Sequence, residues 1–198
     1  MSMPAAPERR WTIEEFERLL EERPGFRPRY ELVDGELLVS DGDLLVTPAP
    51  SNRHGRIVAE LGVRLHAYVK HFQLGEARFS PGAVRLDAQG YLEPDLYVIP
   101  AVDGKRQRAE LPVNNLLLAV EVLSPSSVRN DRIIKRRYFQ RHGVPEYWII
   151  DGDGESVEIW KPNDERALLV DDRLVWDAGA PEPFVLDVRE FFAEIADD

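Results

Sequence analysis

Asp95, Glu121 and Lys135 are the residues whose types and order allow chemistry. Asp95 follows Pro94 and opens the apolar run LYVIP, Glu121 lies near the end of LLLAVEVL, and Lys135 falls within VRNDRIIKRRYFQRHG. LLLAVEVL is almost unbroken apolar sequence, the mark of a strand covered on both faces, so a carboxylate inside it must be paired or metal-bound. Two carboxylates and a lysine brought together at the ends of neighbouring strands are the minimum set for metal-assisted hydrolysis of a phosphodiester. Each residue also has a plainer reading. Asp95 after proline can cap a strand or turn, and Glu121 can form a structural salt bridge to Lys135 or an arginine. Lys135 alone reads as a solvated helix lysine paired with Asp131 at i,i+4, worth a few tenths of a kcal/mol.

The elements that must position these groups follow from periodicity. Residues 91–150 read as strand, strand, helix, strand, with Ser126 or Ser127 capping the helix and Gly143 ending it. Asp131, Lys135, Tyr138 and His142 then share one helix face, and EYWIID is the next strand. Tyr138, Tyr147 and Trp148 read as core or interface packing. Upstream, Thr12 with Glu15 forms a capping-box pattern, and Ile13, Phe16, Leu19 and Leu20 recur at helical spacing in a helix that ends near Pro24. YELVDGELLVS carries a hairpin signal at Asp34-Gly35, flanked by Glu31 and Glu36, and LLVTPAPS breaks the chain. A second helix runs from Ser51 or Asn52 to about Phe72 on the stripe Ile57, Leu61, Leu65 and Tyr68, with His54 in its first turn and Glu60 off the stripe. Ala83 to Leu86 reads as a strand, and the polar loop Ala101 to Asn115, with Lys105, Arg106 and Arg108, reads as mobile. SVEIWK and ALLVDDRLVW read as a meander, and a short helix from about Val188 to Ile195 closes the chain. Helix, three strands, helix, strand is an α/β layer arrangement, a mixed sheet flanked by helices, with additional β structure at both ends.

Composition narrows the function classes. The 198 residues, 43% hydrophobic and 31% charged, fit a single domain at 1–198: an N-terminal helix and hairpin (1–50), a core (51–151), and an acidic β meander with a C-terminal helix (152–198). Without cysteine there is no disulfide framework, thiolate metal site or thiol nucleophile. No apolar run approaches the roughly 20 residues that span a bilayer, and the opening MSMPAAPERRWT lacks the apolar stretch of a secretory signal. A cytoplasmic protein is the simplest reading. The net charge of −11 runs against nucleic-acid binding, yet all of it resides in residues 151–198, with 15 acids and 4 bases. Residues 126–142 carry six basic residues against Asp131, a local +5 that reads either as a solvated face or as a surface for DNA.

These residues resemble a known family. Pro94-Asp95, Glu121 in AVEVLSPSS, Lys135 in the next helix and GVPEYWIID look like the Uma-two endonuclease family of the PD-(D/E)XK restriction-endonuclease-like superfamily. YELVDGEL and the His54 helix are similar to its N-terminal pattern, so the likeness covers roughly residues 10–162. The superfamily places a lysine two residues after the glutamate, where this chain has Leu123. The resemblance implies that Lys135 supplies that charge from the adjacent helix. It further implies a restriction-endonuclease-like core and Mg²⁺ or Mn²⁺ held by Asp95, Glu121 and the Val122 carbonyl. Lys135 then orients the attacking water or stabilises charge at phosphorus, with Glu31 as a further ligand or supporting acid ahead of His54 and Glu60. DNA is the implied substrate, and the apolar tail strands fit a homodimer. The alternatives are a nuclease-fold module that binds or regulates without cutting and, more weakly, an interaction scaffold with no metal response.

Overall fold

Thr12 acts as its type and spacing predict. Its Oγ1 accepts from the Glu15 N–H at 3.2 Å, while Glu15 Oε2 accepts from the Thr12 N–H at 3.0 Å, a reciprocal cap that starts helix α1, Ile13–Glu22. The computed structural model describes residues 9–22, 29–40, 52–80, 82–101 and 115–196. The LLVTPAPS break, the end of the first helix near Pro24, Ser51, and most of the polar loop between Ala101 and Asn115 lie outside those residues.

Strands β1 (Arg29–Val33) and β2 (Glu36–Ser40) pair antiparallel with Val33 opposite Glu36, leaving Asp34 and Gly35 as the two-residue turn. Both turn residues have positive φ, 53° and 78°, the geometry that matches strand twist in a tight hairpin. Leu32 and Tyr91 exchange main-chain hydrogen bonds of 2.8 and 2.7 Å, so the segment ahead of Asp95 runs beside β1.

The central sheet has six strands in the order β3 (Gly75–Phe79), β4 (Leu96–Pro100), β5 (Leu118–Val122), β6 (Glu146–Asp151), β7 (Ser156–Trp160) and β8 (Leu168–Val170). Every neighbouring pair is antiparallel except β5 and β6, which are parallel and therefore need a helical crossover. That crossover is a π-helical segment, Asn130–Lys135, continued by α3, Arg136–Arg141, which Gly143 ends at φ 69°. Helix α2 (Asn52–His71) lies on one face, where Ile57, Leu61, Leu65 and Val69 meet Leu96, Val98, Leu118, Val120 and Val122. On the other face Tyr97, Ile99, Ala119, Tyr147 and Ile149 pack with Tyr138 and Phe139 of α3 and with Val33 and Leu38 of the hairpin. Tyr138, Tyr147 and Trp148 are buried core residues, as read from the sequence. Among the described residues no helix is long and apolar enough to cross a membrane.

Two strands depart from the sequence reading. The strand expected over Ala83–Leu86 is only an isolated bridge between Val84 and Leu92, because an Asp87 turn, with Oδ1 accepting from the Gln89 N–H at 2.8 Å, ends the run. The true edge strand, Gly75–Phe79, has an alternation hidden by small residues: Gly75 and Ala77 share a face where α2 comes close. The meander also ends early. β8 pairs with β7, but β9 (Arg173–Trp176) leaves the sheet to pair with β10 (Phe184–Asp187), and the hairpin lays Leu174, Trp176, Phe184 and Leu186 into the α2 core beside α4 (Val188–Ala196).

Two glycines test this packing against backbone strain. Gly75 has φ 152° and an added Cβ there would stand 1.8 Å from the Ile99 carbonyl oxygen, whereas Gly143 has φ 69° with nothing within 4 Å. Gly143→Ala should cost about 1–2 kcal/mol, the left-handed penalty alone, and Gly75→Ala clearly more, about 3 kcal/mol or above. Urea midpoints of the two variants measure the difference; equal losses would contradict the close approach of the two strands.

Candidate active site

Strand alternation aims the carboxylate of Glu121. Leu118, Val120 and Val122 face α2, so Ala119 and Glu121 face the hairpin and the crossover helix. That helix opens with the Asp131 N–H donating to the Ser127 carbonyl at 2.9 Å and widens into the π segment, where the Arg136 N–H reaches the Asp131 carbonyl. A π segment spends an extra residue on its turn and recurs at functional sites; this one carries Asp131 and Lys135, both buried.

Lys135 is enclosed by acids. Its Nζ lies 2.8 Å from Glu31 Oε2, 2.9 Å from Glu121 Oε1 and 3.2 Å from Asp131 Oδ1, and the four side chains are each at most 4% exposed. The i,i+4 pair with Asp131 expected on a solvated face therefore exists, but inside the protein. Burial works against the ammonium, and the three carboxylates outweigh it, holding the lysine well above its ordinary range. Burial raises Glu121 well above the usual carboxyl value despite Lys135, with Asp131, Asp95 and Glu31 adding to the rise. Asp131 is raised for the same reason. The Tyr147 hydroxyl donates to the Asp131 carbonyl at 3.2 Å and fixes the helix above the sheet.

Asp95 forms the second half of the site. It pairs with His54 and Arg29 rather than Lys135: Oδ2 accepts from the Val122 N–H at 2.9 Å and faces His54 Nε2 at 3.3 Å, and Oδ1 accepts from Arg29 at 3.4 Å. Burial opposes its charge, but His54, Arg29 and the Val122 N–H prevail and lower its pKa to about 2. His54 is in turn raised: burial disfavours the cation, and Asp95 and the Val122 main chain overcome it. Arg29 also lies 3.5 Å from Glu93 and 3.9 Å from Glu31. Glu31 joins the two halves, since its Oε1 accepts the Glu93 N–H at 2.8 Å while its Oε2 faces Lys135.

Asp95, Glu121, Lys135 and Glu31 are thus gathered into one connected cluster, with the Val122 main chain at Asp95. Glu60 is exposed on α2 and His54 is at the cluster. Sequence reasoning missed Arg29 and Glu93. The signal was alternation: Arg29 and Glu31 are two apart on one strand, and Glu93 is two before Asp95. The basic run 126–142 is largely committed to intramolecular contacts. Arg132 binds Asp151 at 3.0 Å and Glu158 at 2.6 Å, Arg136 stacks 4.4 Å over Trp160, and Arg141 pairs with Asp34.

A family model, Uma2, described as "Putative restriction endonuclease", matches residues 13–178. The chain belongs to the Uma2 family. Among solved structures it is similar to a crystal structure described as a putative nuclease belonging to DUF820 from Anabaena variabilis ATCC 29413. The two share 20% identity with a TM-score of 0.69, over 93% of this chain and 98% of that one, a likeness that establishes a shared α/β fold. No curated protein matches the chain. In this Uma2 member Leu123 packs against the α3-side core, and the cation nearest Glu121 comes from the crossover helix.

Five carboxyl groups, Glu31, Glu93, Asp95, Glu121 and Asp131, face two permanent cations, Arg29 and Lys135. Glu31 Oε2 and Asp131 Oδ1 are buried without hydrogen-bond geometry to any partner, although Lys135 is within ion-pair range of both. This surplus of hard, buried oxygen donors fits a divalent cation of the Mg²⁺ type. Among the described residues no three His, Asp or Glu side chains converge as a ready cage.

Removing the ammonium should expose the electrostatics directly. Lys135→Met should lose about 3–5 kcal/mol near neutral pH, the usual cost of leaving buried charges unpaired. The loss should shrink as pH falls. With carboxyl values raised in the fold, the folded state binds more protons than the unfolded chain between the ordinary carboxyl range and the raised one, so stability drops as pH rises through that window. Urea titrations from pH 5 to 8 measure it; a loss independent of pH would contradict the burial of these acids.

Proposed function

We propose that this Uma2 protein is a divalent-metal-dependent DNA endonuclease, with Asp95, Glu121 and the Val122 carbonyl as the groups that hold Mg²⁺ or Mn²⁺. The observation that carries this reading is the buried surplus of carboxylates around Glu121 and Asp95, beside a lysine kept charged. When bound, the metal neutralises phosphate charge and lowers the pKa of a coordinated water. The chain's own residues do the positioning. Lys135 holds the Glu121 and Glu31 carboxylates at 2.9 and 2.8 Å and offsets their mutual repulsion. His54 and the Val122 N–H fix the Asp95 carboxylate in its ionised form. Glu31 orients Lys135 and supports the site rather than forming a covalent bond. Nothing in the scheme needs a nucleophilic side chain. The protein is taken as cytoplasmic, where DNA is accessible, and as a homodimer through its apolar tail strands.

A second reading, a nuclease-fold module that binds without cutting, is favoured by Leu123 at the lysine position and by the enclosure of Lys135. One set of experiments separates the two. Purified protein should nick supercoiled DNA with Mg²⁺ or Mn²⁺, and Glu121→Gln and Asp95→Asn should each lower the rate by at least about 100-fold. Mn²⁺ should raise the melting temperature of the wild type and leave Asp95→Ala unmoved. DNA binding with no cleavage by the wild type would select the binding module, and a Glu121→Gln variant as active as the wild type would remove the mechanism.

A further inference from the structure

The six-stranded sheet ends on one side at β8, and no strand pairs with its outer edge. Among the described residues β8 meets only β7, with Val170 opposite Val157, Leu169 opposite Glu158 and Leu168 opposite Ile159, because β9 leaves for a separate sheet. An open edge offers unpaired main-chain N–H and C=O groups, and proteins blunt it with charge or cover it. Here the edge is apolar. Leu168 and Leu169 are 61% and 64% exposed, and strand alternation sets them on opposite faces of the sheet. Charges stand only at the flanks: Glu165 and Arg166 before the strand, and Asp171, Asp172 and Arg173 after it. All five are exposed, and none is in an ion pair among the described residues. The opposite edge, β3, differs, since its Glu76 and Arg78 pair with each other at 3.1 Å.

We propose that β8 pairs antiparallel with β8 of a second copy of this chain, about a two-fold axis at Leu169, so that two six-stranded sheets continue as one. The interface deepens the homodimer of the proposed function and rests on it, but not on the cleavage chemistry, because β5 with Glu121 stands three strands away. Symmetry restricts the register. A two-fold axis that carries a sheet across its edge stands perpendicular to the sheet and keeps each side chain on its own face, so a residue meets either itself or one an even number of positions away. Centred on Leu168, the pairing sets Glu165 against Asp171 and Asp164 against Asp172, like charges in both cases. Centred on Val170, it sets Leu168 and Leu169 against Asp172 and Asp171. Centred on Leu169, it sets Leu168 against Val170, Leu169 against itself, Arg166 against Asp172 and Glu165 against Arg173. Only this register joins apolar to apolar and opposite charge to opposite charge. Three paired residues bury little surface, so the dimer is weak and depends on concentration. A contact from β8 to β3 would be heterologous and would propagate into a filament, whereas this one closes at two copies.

Sedimentation velocity of the full-length chain over a concentration series is the test. The wild type should pass from monomer to dimer. Leu169→Lys sets two ammonium groups against each other at the axis and should stay monomeric, with the melting curve of the wild type because the side chain lies outside the core. Arg166→Glu and Asp172→Lys each put like charges opposite and should weaken association about 10-fold. Combined in one chain they should restore it, which requires Arg166 to face Asp172. The chain has no cysteine, so Leu169→Cys gives one thiol per copy. A short bismaleimide should join two such copies and leave Val185→Cys, exposed on β10, unlinked. If Leu169→Lys melts early, this crosslink decides. A wild type that is monomeric throughout overturns the interface and the homodimer together. A dimer that ignores Leu169→Lys, or that is joined through Val185→Cys instead, overturns the β8 interface alone, and a charge exchange that fails to restore association overturns its register. Growth beyond two copies means edge-to-edge polymerisation and overturns it as well. The nuclease reading stands or falls separately, on plasmid cleavage.

Discussion

A buried ammonium is the constraint around which this protein is arranged. Moving Lys135 out of water costs several kcal/mol even after relaxation, and alone it would shed its proton. It stays charged because three segments each bring an acid to it: the hairpin with Glu31, β5 with Glu121 and the crossover helix with Asp131. Such a cluster is weak evidence for stability, since apolar residues of the same volume would often serve as well. The stabilisation comes from the frame, where Tyr97, Ala119, Tyr138, Phe139 and Tyr147 close over the same face of the sheet. The cluster therefore marks a place where the fold bears an electrostatic cost.

The charge distribution makes sense on the same terms. Residues 151–198 hold the entire net charge of −11, but part of that acidity is spent inside the structure. Asp151 and Glu158 bind Arg132, Glu155 binds Arg53, and Glu194 pairs with Arg64. Through Arg132, the basic stretch that looks available to DNA in the sequence is tied to the acidic region that looks opposed to it.

Legibility in the sequence followed the range of the forces involved. The capping box at Thr12, the Asp34-Gly35 turn and the α2 stripe depend on neighbours within a few residues, and they stand where their spacing puts them. Glu121 was conspicuous for a local reason as well, a charge inside an apolar run. Arg29 was not, because its meaning depends on a hairpin docking against Tyr91 and on Asp95, 66 residues away. Lys135 carried two readings, beside Glu121 in the site or solvated beside Asp131, because i,i+4 spacing is the same whether the helix face is wet or buried and only tertiary packing decides. The Gly75–Phe79 strand escaped because its inward residues are small, and β9 because nothing local says which neighbour a short apolar strand will choose.

Glu31 shows how far the site reaches beyond the sheet that carries Asp95 and Glu121. Its two oxygens serve different partners, one the Glu93 N–H and the other Lys135, while Arg29 lies 3.9 Å from it. A carboxylate divided in this way cannot turn toward a new cation without releasing either the segment before Asp95 or the lysine beside Glu121. The hairpin is consequently part of the site and not an appendage to it, because any shift of β1 moves Glu31 and Arg29 together, two residues apart on one face of one strand. The same geometry places the two cations: the crossover helix supplies a lysine sealed among acids, and the hairpin supplies an arginine set among Asp95, Glu93 and Glu31.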